Sequence, residues 1–279
     1  MTPAHAAPYD VAQSPSPFAS APAPAPLPSD VGSFPATRHS VIAGISSDDQ
    51  QTRRVAFDAL VSAYWRPVYK YVRIKWRRDR EDAADLTQEF FARAFEKGSL
   101  DRFDPTRARF RTFLRVCFDG FVANEHKAAG RIKRGGTVAF VPLDFAAAES
   151  ELSDTSGRLA ANENGLAPAA DDDALFRQEW VRAIFADGVA ALRESCEAAG
   201  KQTHFAVFQR YDLEDGVGPR PTYAQLGAEF GIPVTQVTNH LAFARRELRR
   251  LVLERLRAVC ASDDEFRLEA RELLGVYPA

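Results

Sequence analysis

The chain has 279 residues, 46% of them hydrophobic and 27% charged, with a formal net charge of −2. This length suits about two domains, and the composition supports a real apolar core. No apolar run approaches the ~20 residues that span a bilayer. No Lys or Arg precedes Arg38, where a secretory leader would carry one. The three cysteines (Cys117, Cys196 and Cys260) are too far apart for a metal-type pair and too few for a disulfide framework. A cytoplasmic protein with no membrane partner and no cofactor is expected.

The small net charge hides a strong asymmetry. Residues 1–51 carry −3, residues 52–136 carry +9, residues 137–175 carry −7 and residues 176–279 carry −1. A block at +9 in a slightly acidic chain points to a polyanionic partner, or to a solvated helical surface rich in arginine.

Nine of the 17 prolines fall in residues 1–35. With little else to bury, residues 1–47 read as an extended, disordered Pro/Ala-rich tail. Helical periodicity begins near Asp48, with Val55, Leu60, Val61 and Tyr64 on one side, and Pro67 is expected to open a new turn. Asp79 can cap a helix from Arg80 to Lys97 whose Ala83, Leu86, Phe90 and Ala94 recur every three or four residues. Gly98 suits its stop. After Asp104-Pro105, a long helix over 106–132 carries Phe110, Phe113, Leu114, Cys117, Phe121 and Val122. Residues 137–175 read as an acidic flexible linker with at most one weak helical turn. The −7 charge could also fold back on the +9 block.

The second block opens at Asp171–Asp173, three carboxylates placed for a helix N-terminus. Its most informative stretch is 221–257. Thr222 caps a short helix and Gly231 supplies a turn. Gly227 is expected where two helices cross, and Ile232 plugs the corner. Pro233 opens a second helix that buries Val234, Val237, Leu241, Ala244, Leu248 and Leu251. Thr235, Gln236, Thr238, Asn239 and His240 are left facing outward, followed by Arg245, Arg246, Arg249 and Arg250. That is a helix-turn-helix whose second helix can read base edges while its arginines hold phosphates. The fold class is therefore all-α: two small helical domains joined by a flexible acidic linker, the second with a helix-turn-helix. The domains are 48–136 and 176–260, with a helical extension at 261–279.

In the first block, aromatics interleave with cations: Arg107, Arg109, Phe110, Arg111, Phe113, Arg115, then Asn124, His126, Lys127, Arg131, Lys133 and Arg134. Aromatic faces can stack unpaired bases while cations hold the backbone, although most of these rings must be core. On the preceding helix, Asp85, Gln88 and Glu89 share an outward face. It reads as a solvated face or a protein-docking face. A metal site is disfavoured because all the acids lie on one helix with no histidine near.

Tyr-Trp-Arg-Pro-Val-Tyr at 64–69, Asp-Leu-Thr-Gln-Glu-Phe-Phe at 85–91 and Arg-Phe-Arg-Thr-Phe-Leu at 109–114 resemble region 2 of bacterial RNA polymerase sigma factors of the extracytoplasmic-function (ECF) class. Residues 203–257 resemble region 4 of that class. The family often has Trp where this chain has Phe113, and Asn where it has Gly120. The resemblance implies a non-enzymatic factor that binds core RNA polymerase and directs transcription initiation at promoter DNA. It places the β′ clamp-helix contact on Asp85, Gln88 and Glu89. It places capture of the melted minus-ten strand on Arg109, Phe113, Asn124, Lys127, Arg131 and Lys133. Reading of the minus-thirty-five duplex, beside the β flap, falls on Thr235, Gln236, Thr238, Asn239, His240 and Arg245. Factors of this class are commonly held by an anti-sigma factor. The alternative is a stand-alone helix-turn-helix regulator whose first block serves sensing or dimerisation.

Overall fold

The computed structural model describes residues 41–128, 141–152, 171–214 and 220–275, all within one compact unit that spans Arg38–Ala279. The described elements are helical, as expected. In chain order they are α1 (Val41–Gly44), α2 (Gln50–Lys75), α3 (Arg80–Lys97), α4 (Phe110–Ala128), α5 (145–152), α6 (Asp172–Ala198), α7 (Gln202–Phe208), α8 (Tyr223–Phe230), α9 (Val234–Val259) and α10 (Asp263–Leu274). A 3-10 turn, Ser99–Arg102, leads towards α4, and a π-helical turn, Gln209–Leu213, extends α7.

The starts follow the local rules. Asp49, Asp79, Asp171, Thr222 and Ser262 each accept a backbone N–H of the first turn of the helix they precede. Thr222 and Gln225 form a reciprocal capping box. At the other end of α8, Gly231 takes φ +65°, which a residue with a β-carbon reaches only at a cost.

Four expectations need correction. Pro67 does not open a helix; it lies buried inside the continuous α2. A mid-helix proline costs about 3 kcal/mol. Here Tyr64, Trp65, Val68, Tyr69, Tyr71 and Val72 around it are all buried, and their packing outweighs that cost. Residues 41–45, assigned to the tail, already carry α1, with Ile42 and Ile45 in the core. The long helix begins at Phe110 rather than near residue 106, because Asp104 holds Thr106 in a side-chain turn. Finally, part of the acidic segment is ordered as α5. Phe145 packs edge-on against Trp65 at 5.3 Å and at a tilt against Tyr69 at 5.0 Å. Tyr69 donates to Glu149 at 2.6 Å, Arg73 also binds Glu149, and Lys70 pairs with Glu151 at 2.6 Å. Residues 145–152 of the acidic segment thus fold back on the basic block, onto α2.

The core is continuous across both expected blocks. Phe176, Trp180 and Ile184 of α6 and Val252, Leu256 and Val259 of α9 join one cluster with Leu60, Tyr64, Val68, Phe90, Phe110, Leu114 and Phe118. A second cluster, Leu192, Cys196, Phe205, Val207, Phe208, Leu226, Val237, Leu241 and Ala244, holds α7 and α8 to the far ends of α6 and α9. Leu248 touches both clusters. The two long helices meet closely at Gly188, where a β-carbon would stand 2.8 Å from Val252 Cγ2.

Candidate nucleic-acid and polymerase interface

α3 presents a small polar face. Ala83, Thr87, Phe90 and Phe91 are buried, and the Thr87 hydroxyl donates to the Ala83 carbonyl at 2.7 Å. That orientation leaves Asp85 and Gln88 exposed. Glu89, one helical step further round, is half-buried and pairs with Arg93, which also reaches Glu125 of α4. Glu89 is therefore part of an α3–α4 strut, while Asp85 and Gln88 form the outward face. Among the described residues, no cluster of three or more His, Cys, Asp or Glu side chains could hold a metal.

α4 places its aromatics inward. Phe110, Leu114, Phe118 and Val122 are fully buried. Phe113 is half-buried against Phe103 at 5.3 Å and Phe110 at 6.2 Å, so it supports the core edge. Asn124 is exposed, and Lys127 lies in the last turn of the helix. Arg131 and Lys133 lie outside the described residues. The first turn of α4 faces α10. Arg109 Nη1 donates to Glu269 and to Glu272, both at 2.9 Å, and Nη2 donates to Glu272 at 2.6 Å. Arg111 is buried and donates Nε to Glu269 at 2.8 Å. Arg115 pairs with Asp119 and Asp173. The carboxylates hold the Arg109 guanidinium firmly protonated, and Arg109 in turn keeps the Glu272 carboxyl below its usual range.

α8 and α9 are joined by Gly231–Pro233. The Gly227 β-carbon would stand 2.8 Å from the Ile232 carbonyl oxygen, so the small residue serves the turn itself rather than a helix crossing. Thr235, Gln236, Thr238 and Asn239 are exposed on the first turns of α9. Val234, expected inside, is 47% exposed. It sits in the first turn, ahead of the point where α9 reaches the α7 and α8 packing. His240, expected outside, is half-buried: its ring lies tilted against His204 of α7 at 3.8 Å between centroids. Desolvation holds the His240 pKa below its ordinary value, and desolvation together with His240 and Lys201 does the same for His204. Arg245 is exposed but held. Asp212 accepts from its Nε at 2.8 Å and also receives Arg220 at 2.7 Å.

Sequence reasoning missed His204, Asp212 and the α10 carboxylates. His204 and Asp212 lie 36 and 33 residues before their partners, beyond any helical period. The α10 acids lie in a segment that read only as a helical extension at 261–279.

Residues 60–132 match the family model for sigma-70 region 2. The match supports a sigma-70 family factor. Such factors are non-enzymatic, bind core RNA polymerase and act at promoter DNA in transcription initiation. The chain has no match among curated proteins or solved structures. The region 2 match begins in the middle of α2 and takes in α3 and α4, so Asp85, Gln88, Arg109 and Asn124 all fall within it. The α8–α9 pair and α10 fall outside it. Among the described residues, no helix is long and apolar enough to cross a membrane.

Proposed function

We propose that this chain is an ECF-class sigma factor, acting in the cytoplasm with core RNA polymerase. In this reading residues 48–136 form a region 2 domain and residues 176–260 a region 4 domain with a helix-turn-helix. The observation that carries it is the region 2 match over 60–132, whose α3 buries Ala83, Thr87, Phe90 and Phe91 and keeps Asp85 and Gln88 exposed on the opposite face. Those two side chains, with Glu89 behind them, dock on the β′ clamp helices. Arg109, Phe113, Asn124, Lys127, Arg131 and Lys133 serve the melted minus-ten strand. Phe113 acts there as a ring at the core edge rather than as a free stacking platform.

The exposed Thr235, Gln236, Thr238 and Asn239 suit reading of a minus-thirty-five duplex. Asn and Gln can pair bidentately with adenine, and Thr can contact a base edge or a thymine methyl. His240 and Arg245 take part from the edge of that surface, each backed by a second residue. An anti-sigma factor would then bind one of these faces and keep the chain from polymerase.

The test is run-off transcription with core polymerase on a library of promoter fragments. Start sites that appear only when this chain is added support the reading. Duplex DNA binding without any initiation would instead support a stand-alone regulator.

A further inference from the structure

We propose that α10 is a built-in mask over the minus-ten edge of α4, in which its carboxylates hold Arg109 in the place a nucleic-acid phosphate would take. The inference rests on the sigma reading for the role of Arg109 and adds a regulatory element that lies outside the region 2 match.

Three acids on one side of α10 line the positive end of α4. Glu265 accepts the backbone N–H of Phe110 at 2.9 Å, at the helix N-terminus where an anion is favoured. Glu269 accepts from Arg109 and Arg111. Glu272 takes Arg109 through both of its oxygens and also receives Arg177 of α6 at 3.1 Å. Two oxygens of one anion facing a planar guanidinium is the geometry by which arginine binds phosphate as well as carboxylate. A phosphodiester placed there would meet the same donors, and it cannot be there while Glu272 is.

The contact is also built to be given up. Glu269 Oε2 is buried without a hydrogen-bond partner, so this carboxylate is not fully satisfied where it sits. Arg111 keeps a second carboxylate, Asp173 at 3.5 Å, when Glu269 leaves. Only Ala270 of α10 is a fully buried apolar residue, with Phe266, Leu273 and Leu274 partly buried beside it. α10 is thus held largely by ion pairs, of which the partly exposed Glu272 contacts compete directly with a polyanion and weaken with salt.

The experiment measures binding of a fluorescein-labelled, A·T-rich single-stranded oligonucleotide to the full chain by anisotropy, with hydrogen exchange followed in α10. Glu272→Gln is the releasing variant. Asp264→Asn, whose carboxylate pairs with Arg267 on the same helix, is the control for the change in charge. Glu272→Gln is expected to bind about two- to fivefold tighter, the gain from weakening a partly exposed ion pair. Its α10 amides should exchange faster. Asp264→Asn should match the wild type, and adding Arg109→Ala to Glu272→Gln should remove the gain. Equal affinity of Glu272→Gln and wild type overturns the mask, as does an equal gain in Asp264→Asn. Run-off transcription with the wild-type chain separates the two levels. Initiation with no gain in Glu272→Gln sinks the mask alone, whereas no initiation sinks the sigma reading beneath it.

Discussion

Arg111 of α4 donates its Nε proton to Glu269 of α10 at 2.8 Å, and both side chains are almost wholly buried. Charges taken out of water are tolerated when each has a partner, and removing one member leaves the other uncompensated. Glu269→Ala is therefore expected to cost about 1–3 kcal/mol in urea unfolding, less than a fully orphaned charge would, because Arg111 keeps Asp173 at 3.5 Å. Arg111→Met/Glu269→Leu should cost much less, because apolar groups of similar volume replace the pair. Equal losses in the two variants would contradict this account of the contact.

Close approach at Gly188 sets the spacing of α6 and α9. A β-carbon there would stand 2.8 Å from Val252 Cγ2 and 3.3 Å from Leu248 Cδ1. Leucine can swing away, but a β-branched valine in a helix has one strongly preferred rotamer. Gly188→Ala is expected to lower stability by about 1–3 kcal/mol. Adding Val252→Ala should recover part of that loss, which thermal melts of the single and double variants would show.

The paired rings of His204 and His240 give a pH dependence with a definite sign. Both pKa values lie below the ordinary 6.5, His204 through desolvation and then the charges of His240 and Lys201, and His240 through desolvation. The unfolded chain then takes up protons first as pH falls, so the stability these groups contribute is present above pH 6.5 and is lost below it. The melting temperature should drop between pH 7.5 and 5.5. His204→Phe, which keeps a ring against His240, should flatten that slope. An unchanged slope would remove the histidine pair as its source.

Much of this was legible in the chain because the signals are local. The caps at Asp79, Asp171 and Thr222, the stop at Gly98 and the turn at Gly231 are read within four residues. The inward stripes of α3 and α4 repeat every turn. Pro67 misled because its local cost is real, and only the aromatic and valine packing around it shows that it is overcome. Glu149, Glu269 and His204 were not legible. Each meets a partner 36 to 160 residues away, and nothing in their own neighbourhoods distinguishes them from solvated polar residues. Arg109 was singled out for its charge, but that charge also draws the α10 carboxylates that now hold it.

Phosphate contact by the basic residues predicts a steep response to salt. If about five phosphates are neutralised, the affinity for promoter DNA should fall with a log–log slope near −4 to −5. Anisotropy titrations across a range of potassium chloride would measure it. A slope near zero would contradict the phosphate-contact role.

The central claim is that α3 docks this chain on core RNA polymerase. Gel filtration of the purified chain with core enzyme, beside an Asp85→Ala/Gln88→Ala variant, tests it most directly. Both side chains are exposed, so the variant should fold. The account predicts that the wild type co-elutes with polymerase and that the variant elutes separately. A wild-type chain that never co-elutes would contradict the sigma reading, and a variant that co-elutes as well as the wild type would contradict the docking face.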